Sequence, residues 1–255
     1  MRAFNAHMEV LPEEQLRVWR QLGPTVGLGY VLYGGTAIAL RLGHRQSIDF
    51  DFFTDEVLDR DALHSALPFL SRATALQDEP DALTFRTGAE GVKISFFGGI
   101  QFGRIGEPQM TQDGVLHVAS LEDLMATKVT VVLQRADAKD YRDIAEMIRS
   151  GVSLPTGLAS AREMFGPNFQ PRESLKALVF FEDGNLRTLN RTDKETLLKA
   201  ASAVGDLPQA SLASRHLASI GKPEKREMTF EEEVRARSAD TRSRMAEDDD
   251  VHEDE

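Results

Sequence analysis

Residues 30–54, YVLYGGTAIALRLGHRQSIDFDFFT, leave the chain few ways to fold. Tyr30–Tyr33 is a short apolar run rich in β-formers and reads as a buried strand. Gly34-Gly35 breaks it. Thr36–Leu42 contains good helix formers, and Gly43 is placed to stop the helix. Ile48–Phe53 then alternates apolar and acidic residues, which predicts a second strand. Side chains at i and i+2 of a strand share a face, so Asp49 and Asp51 project to one side. Phe50, Phe52 and Phe53 are expected to anchor the strand from the other positions.

This segment also carries the chemistry. A glycine pair lets a ligand approach the backbone closely, and the free N–H groups at a helix start favour a phosphate. Two carboxylates on a rigid strand beside such a cradle suit Mg²⁺, a hard cation that takes oxygen ligands and shares its shell with substrate phosphates. The bland alternative is a plain strand-to-helix turn, with the aspartates salt-bridged by Arg41 or Arg45. On the functional reading the same two arginines lean toward phosphates. His44, next to the motif, either contacts the ligand or is an incidental turn residue. The chain has no Cys, and its six His show no H-x-x-x-H spacing. Disulfides, Cys-ligated zinc, iron–sulfur clusters and thiol nucleophiles are thereby excluded, and zinc is disfavoured.

Around this segment the pattern predicts an amphipathic helix at Glu13–Leu22 and another at Asp59–Leu70. Strands follow at Arg72–Leu76, Ala82–Arg86 and Val92–Phe97, the last two joined by a turn at Gly88–Gly91, with an edge strand at Leu116–Val118. After Ser120, which opens an S-x-x-D capping pattern, the chain reads as helical: Leu121–Arg135, Ala138–Ser150, Arg172–Glu182 and Thr192–Val204. The expected architecture is α+β, a mixed sheet with flanking helices followed by a helical C-terminal half. From Gly221 the chain is charge-dense and poor in apolar residues, and the end is expected to be disordered. The last nine residues carry seven acids, and without them the formal charge rises from −11 to −4. The body is therefore only mildly acidic and is not built to bind polyanions in bulk, although a local basic groove is allowed. No apolar run is long enough to span a membrane, and no secretory h-region opens the sequence, so a cytoplasmic location is expected.

The order apolar-Gly-Gly, Asp-x-Asp, then Lys128 in DLMATKVTVVLQR, Arg135 and the Lys139-Asp140-Tyr141-Arg142-Asp143 element resembles the AbiEii/AbiGii-type nucleotidyltransferases. These are toxin-like members of the DNA polymerase β-like superfamily, and the likeness covers roughly Tyr30–Ile148. It implies a polymerase β-like core over residues 1–119, a helical region over 120–220 that completes the site, and an acidic tail over 221–255. It also implies a catalytic set of Asp49, Asp51, Lys128 and Asp143. Gly34, Gly35, Thr36 and Lys128, with Arg41 and Arg45, would hold the nucleotide. Asp49 and Asp51 would bind Mg²⁺ or Mn²⁺.

The implied reaction moves an NMP from an NTP to an RNA, protein or small-molecule acceptor. A cognate antitoxin is the implied partner, and tRNA the attractive acceptor if Arg41, Arg45, Lys93, Lys128, Arg135, Lys139 and Arg142 meet in one groove. One departure stands out. Many relatives carry a third carboxylate on a later strand, whereas Val92–Phe97 offers Lys93 and Ser95. That keeps open an alternative, a catalytically degenerate nucleotide-binding or regulatory protein acting through a partner.

Overall fold

The computed structural model describes residues 3–88 and 91–218; the acidic tail and the middle two residues of the Gly88–Gly91 turn lie outside it. An eight-stranded mixed sheet forms the centre. Its strands are β1 (Ala3–Phe4), β2 (Val31–Tyr33), β3 (Asp49–Phe53), β4 (Thr74–Glu79), β5 (Ala82–Arg86), β6 (Lys93–Phe97), β7 (Gln109–Thr111) and β8 (His117–Val118), in the order β1-β7-β8-β2-β3-β6-β5-β4. β3 runs antiparallel to β2 and parallel to β6. The segment expected as an edge strand, β8, is internal: it lies parallel to β2 and antiparallel to β7. The short Gln109–Thr111 run, too brief to show a period, provides the strand outside it.

The helices are α1 (Glu13–Trp19), α2 (Gly34–Leu42), α3 (Arg60–Ala66), α4 (Leu121–Val131), α5 (Ala138–Arg149), α6 (Leu154–Phe165), α7 (Pro171–Val179) and α8 (Arg191–Ser202). Most start on a side-chain cap. Asp59, Ser120, Asp137, Ser153 and Asn190 each accept a backbone N–H from the first turn, satisfying donors that the helix itself leaves free. α1, α2 and α7 have no such bond. At α2 the N-cap is Tyr33, so the helix opens on bare glycine backbone, and it closes on Gly43 in the left-handed region.

The sheet has two unlike faces around β3. Phe50 and Phe52 are fully buried, packed with Trp19, Tyr30 and Phe96. Asp49, Asp51 and Phe53 turn to the opposite side, where α4, α5 and α6 assemble. Strict alternation thus places Phe53 with the aspartates, not with the anchoring phenylalanines as expected. α4 and α6 cross closely: a Cβ on Gly157 would fall 2.2 Å from Met125 Cγ. Residues 213–217 return to the loops that follow β3 and β6: Arg104 N–H donates to Ser214 O (2.9 Å) and Leu217 N–H to Asp55 Oδ1 (2.8 Å).

Candidate active site

A cleft of about 690 Å³ opens between the β3–β6 surface and the α4 wall. Its floor is set by register. Along the parallel pair, Asp49 stands opposite Lys93, Asp51 opposite Ser95 and Phe53 opposite Phe97. Six side chains therefore form a two-by-three grid. Lys93 Nζ lies 3.5 Å from Asp49 Oδ2. Ser95 Oγ accepts a 3.2 Å hydrogen bond from Thr84 Oγ1 of β5.

Asp51 is the unusual member. Among the described residues, no side chain hydrogen-bonds or ion-pairs with it. Burial pushes its carboxyl above the ordinary range, Lys93 pulls it down, and the Asp49 charge pushes it up again. It abuts Gly34, whose φ is +73°. A Cβ there would sit 2.5 Å from Asp51 Oδ2. Only glycine fits both the backbone angle and the gap. At Gly35 a Cβ would meet Arg45 Nη2 at 2.5 Å and Ser47 Oγ at 3.1 Å.

Buried charge fills the wall behind the grid. Arg45 holds Asp143 with both prongs, Nε to Oδ1 at 2.6 Å and Nη2 to Oδ2 at 2.8 Å. His44 Nε2 is 2.8 Å from Asp143 Oδ1. Lys128 Nζ bridges Asp140 Oδ1 (2.6 Å) and Asp143 Oδ2 (2.8 Å). Arg135 Nε donates to Asp140 Oδ2 at 2.7 Å. Both carboxylates are wholly buried, which is tolerable only because each oxygen meets a donor. Burial alone would raise the Asp143 carboxyl. The His44 hydrogen bond, the Lys128 ammonium and the Arg45 guanidinium outweigh it and hold the group well below the carboxylate range. Asp140 is likewise held low against its burial by Arg135 and Lys128. Three fixed cations face two carboxylates, so the wall keeps a surplus positive charge toward the cleft.

The expected residues divide accordingly. Gly34, Gly35, Arg45, Asp49, Asp51 and Lys128 line one cleft, with Asp143 directly behind Arg45 and Lys128. Thr36 does not line it; its buried hydroxyl donates to the Asp49 backbone carbonyl and ties α2 to β3. Arg41 is elsewhere. Its guanidinium donates to Ala119 O (2.6 Å), Val118 O (2.9 Å) and Gln109 Oε1 (2.9 Å) and lies over the Phe4 ring. It serves the β7–β8 side of the sheet. Neither arginine pairs with Asp49 or Asp51. Lys93, Arg135 and Lys139 also line the cleft. Sequence reading missed its aromatic members, Phe53, Phe97, Phe102 and Phe165; the odd–even alternation of β3 was the available signal for Phe53.

As a metal site the donor set is incomplete alone. Among the described residues no group of three or more His, Asp or Glu gathers to hold an ion. Two carboxylates, one of them against a backbone cradle, fit a hard cation that arrives with substrate oxygens.

Comparison with known proteins bears on family and fold. Residues 24–206 match the family model described as nucleotidyl transferase AbiEii toxin, type IV toxin–antitoxin system. The uncharacterized protein aq_aa25 of Aquifex aeolicus (strain VF5) is 31% identical over 183 residues, covering 69% of this chain and 85% of that protein. Among solved structures, MenT4, a nucleotidyltransferase toxin from Mycobacterium tuberculosis H37Rv, superposes with a TM-score of 0.52 at 13% identity over 75% of this chain and 84% of its own. The antibiotic-resistance factor ANT(2'')-Ia gives 0.42 at 12% identity, over 56% and 85%. The fold is that of a polymerase β-like nucleotidyltransferase, a mixed sheet followed by a helical C-terminal region. The chain belongs to the AbiEii nucleotidyltransferase toxin family.

Proposed function

We propose that the chain transfers a nucleoside monophosphate from an NTP to an acceptor hydroxyl, releasing pyrophosphate, as the toxin of a toxin–antitoxin pair. One observation carries the reading: Asp49 and Asp51 project side by side into a cleft whose rim is the Gly34 turn, and no side chain among the described residues pairs with Asp51 there. A divalent cation, Mg²⁺ or Mn²⁺, bound to these carboxylates would offset triphosphate charge and polarise the α-phosphorus. The Gly34–Gly35 backbone at the start of α2 cradles phosphate oxygens. Lys128 and Arg135 supply positive charge that is already fixed in place, so little reorganisation is needed when charge develops. The helices from residue 120 onward complete the site in this reading.

Asp143 is a positioning residue and not the base. Both its oxygens are occupied and its carboxyl is held low, so it has no proton affinity to offer an attacking hydroxyl. Ser95, opposite Asp51, cannot serve as a base unaided either. That observation favours the second reading, a nucleotide-binding protein that regulates through a partner without turnover. The test is to incubate the protein with Mg²⁺, each α-³²P-NTP in turn, and total RNA or cell extract. Asp49→Asn and Asp51→Asn variants are the controls. Label on RNA or protein with the native chain alone establishes transfer and reveals the acceptor class. Nucleotide binding without label favours the regulatory reading, with the antitoxin as its partner.

A further inference from the structure

The third row of the cleft floor is aromatic: Phe53 stacks on buried Tyr33 and, with Phe102 and Phe165, packs against the core, yet each keeps part of its ring exposed to the cleft. On the core face of the sheet, Phe50, Phe52 and Phe96 are completely buried. On the cleft face, Phe53 and Phe97 are only half-buried, at ring centroids 5.2 Å apart and edge to face. Phe102, from the loop after β6, meets Phe53 at 6.2 Å and Phe165, at the end of α6, at 5.2 Å. All four line the cleft that holds Asp49 and Asp51. Four different elements thus deliver phenylalanines to a cleft that also holds the ionic groups. Residues 213–217 hold the loop that carries Phe102 by bonding Arg104, two residues on.

We propose that this aromatic wall seats the nucleobase of the incoming nucleotide, a proposal that rests on Asp49 and Asp51 marking the phosphate site. From Asp51 to Phe53 is two residues of strand, about 6.6 Å, the span of one ribose between an α-phosphate and its base. Every base has a π-face, so the wall supplies affinity for a base and leaves the choice among bases to polar groups.

The test compares two ligands in Mg²⁺, a non-hydrolysable NTP analogue and inorganic tripolyphosphate, by calorimetry. The analogue binds the native protein at least about tenfold more tightly. In Phe102→Leu/Phe165→Leu, which keeps apolar volume and removes the rings, the analogue loses about tenfold while tripolyphosphate is unaffected. In the native protein, independent of any variant, 2-aminopurine riboside triphosphate is quenched on binding. Equal affinity for the two ligands, or no quenching, overturns the proposal and leaves the phosphate reading standing. No binding of tripolyphosphate to the native protein sinks the phosphate reading and this one with it. Unchanged analogue affinity in the double variant, together with a raised KM for an RNA acceptor, assigns the wall to the acceptor's base and also overturns it.

Discussion

Asp143→Asn and Asp51→Asn remove one carboxylate charge each from the same cleft, and they should move stability in opposite directions. Asp143 accepts from Arg45 twice and contacts His44 and Lys128. An asparagine there presents an amide donor to groups that are themselves donors and leaves buried cations without a counter-charge. Breaking a buried pair of this kind costs about 3–5 kcal/mol. In a domain of this size that lowers Tm by roughly 6–20 °C. The pH dependence carries a second signature. Because the Asp143 carboxyl titrates lower in the folded than in the unfolded chain, its contribution is fully present above an unfolded pKa of about 4. It drains away as pH falls toward the folded value. The native-minus-variant gap should therefore be flat from pH 6 to 8 and close in acid. Asp51 is the reverse case: half-buried, without a partner among the described residues and held high, it opposes folding whenever it is ionised. Asp51→Asn should match or exceed native stability at pH 7, a gain in stability at the expense of function. Urea titrations of both variants at pH 3, 4, 6 and 8 decide the matter. A loss below about 1 kcal/mol for Asp143→Asn, the level of a surface pair, would mean that the Arg45–Asp143–Lys128 network does not hold the wall together. A large loss for Asp51→Asn would mean that Asp51 is a structural partner and not a ligand.

Other outcomes follow from the same geometry. Gly34→Ala forces a Cβ into Asp51 at positive φ, costing about 1–2 kcal/mol from the backbone angle alone, and should abolish nucleotide binding measured by calorimetry. Arg41→Ala should destabilise by about 2–4 kcal/mol through three lost hydrogen bonds, one charged donor group serving all of them, while NTP affinity stays at the native value; a specific loss of NTP affinity would return Arg41 to the site. Burial raises the Asp123 carboxyl to about 6, against hydrogen bonds from Ile105, Ser120 and Gly106. Its contribution to stability is thus complete below about pH 4 and lost as pH rises through 6, so Asp123→Asn should flatten a slope of about 3 kcal/mol in that window, read as Tm against pH. Mn²⁺ should bind weakly alone and tightly with NTP present, because two carboxylates do not complete its shell; electron paramagnetic resonance of free Mn²⁺ measures both.

The parts of the molecule legible in sequence are those where local chemistry and fold agree. Gly34-Gly35, the α2 stop at Gly43, β3, and the capped start of α4 at Ser120 each have a signal within a few residues. α6 was not legible. Pro155 and Gly157 weaken its helical pattern, and the reason for Gly157 is Met125, thirty-two positions earlier in the chain. Sheet order was illegible for a similar reason: β1, β7 and β8 are two or three residues long, and only their neighbours define them. Arg41 and Arg45 look alike in sequence, four residues apart on either side of Gly43. One is drawn to the carbonyls of β8 and its flank, the other to Asp143, and nothing local distinguishes them. The pairing of Lys128 with Asp140 was equally hidden, although their order in the chain was not.

The span of the charged wall along the chain has a consequence for synthesis. His44 and Arg45 find Asp143 across 99 and 98 positions. Contacts that distant form late, because the loop between them must first be closed and ordered. A ribosome-bound chain that has grown as far as Arg135 still lacks both carboxylates on which Arg45 and Lys128 rest. With translation at about 5–20 residues per second, the cleft stays unfinished through most of elongation, even though its glycine turn and paired aspartates emerge early. The charged wall is thus completed only after residues 140–143 have been made, later than the glycine turn and the paired aspartates that it faces.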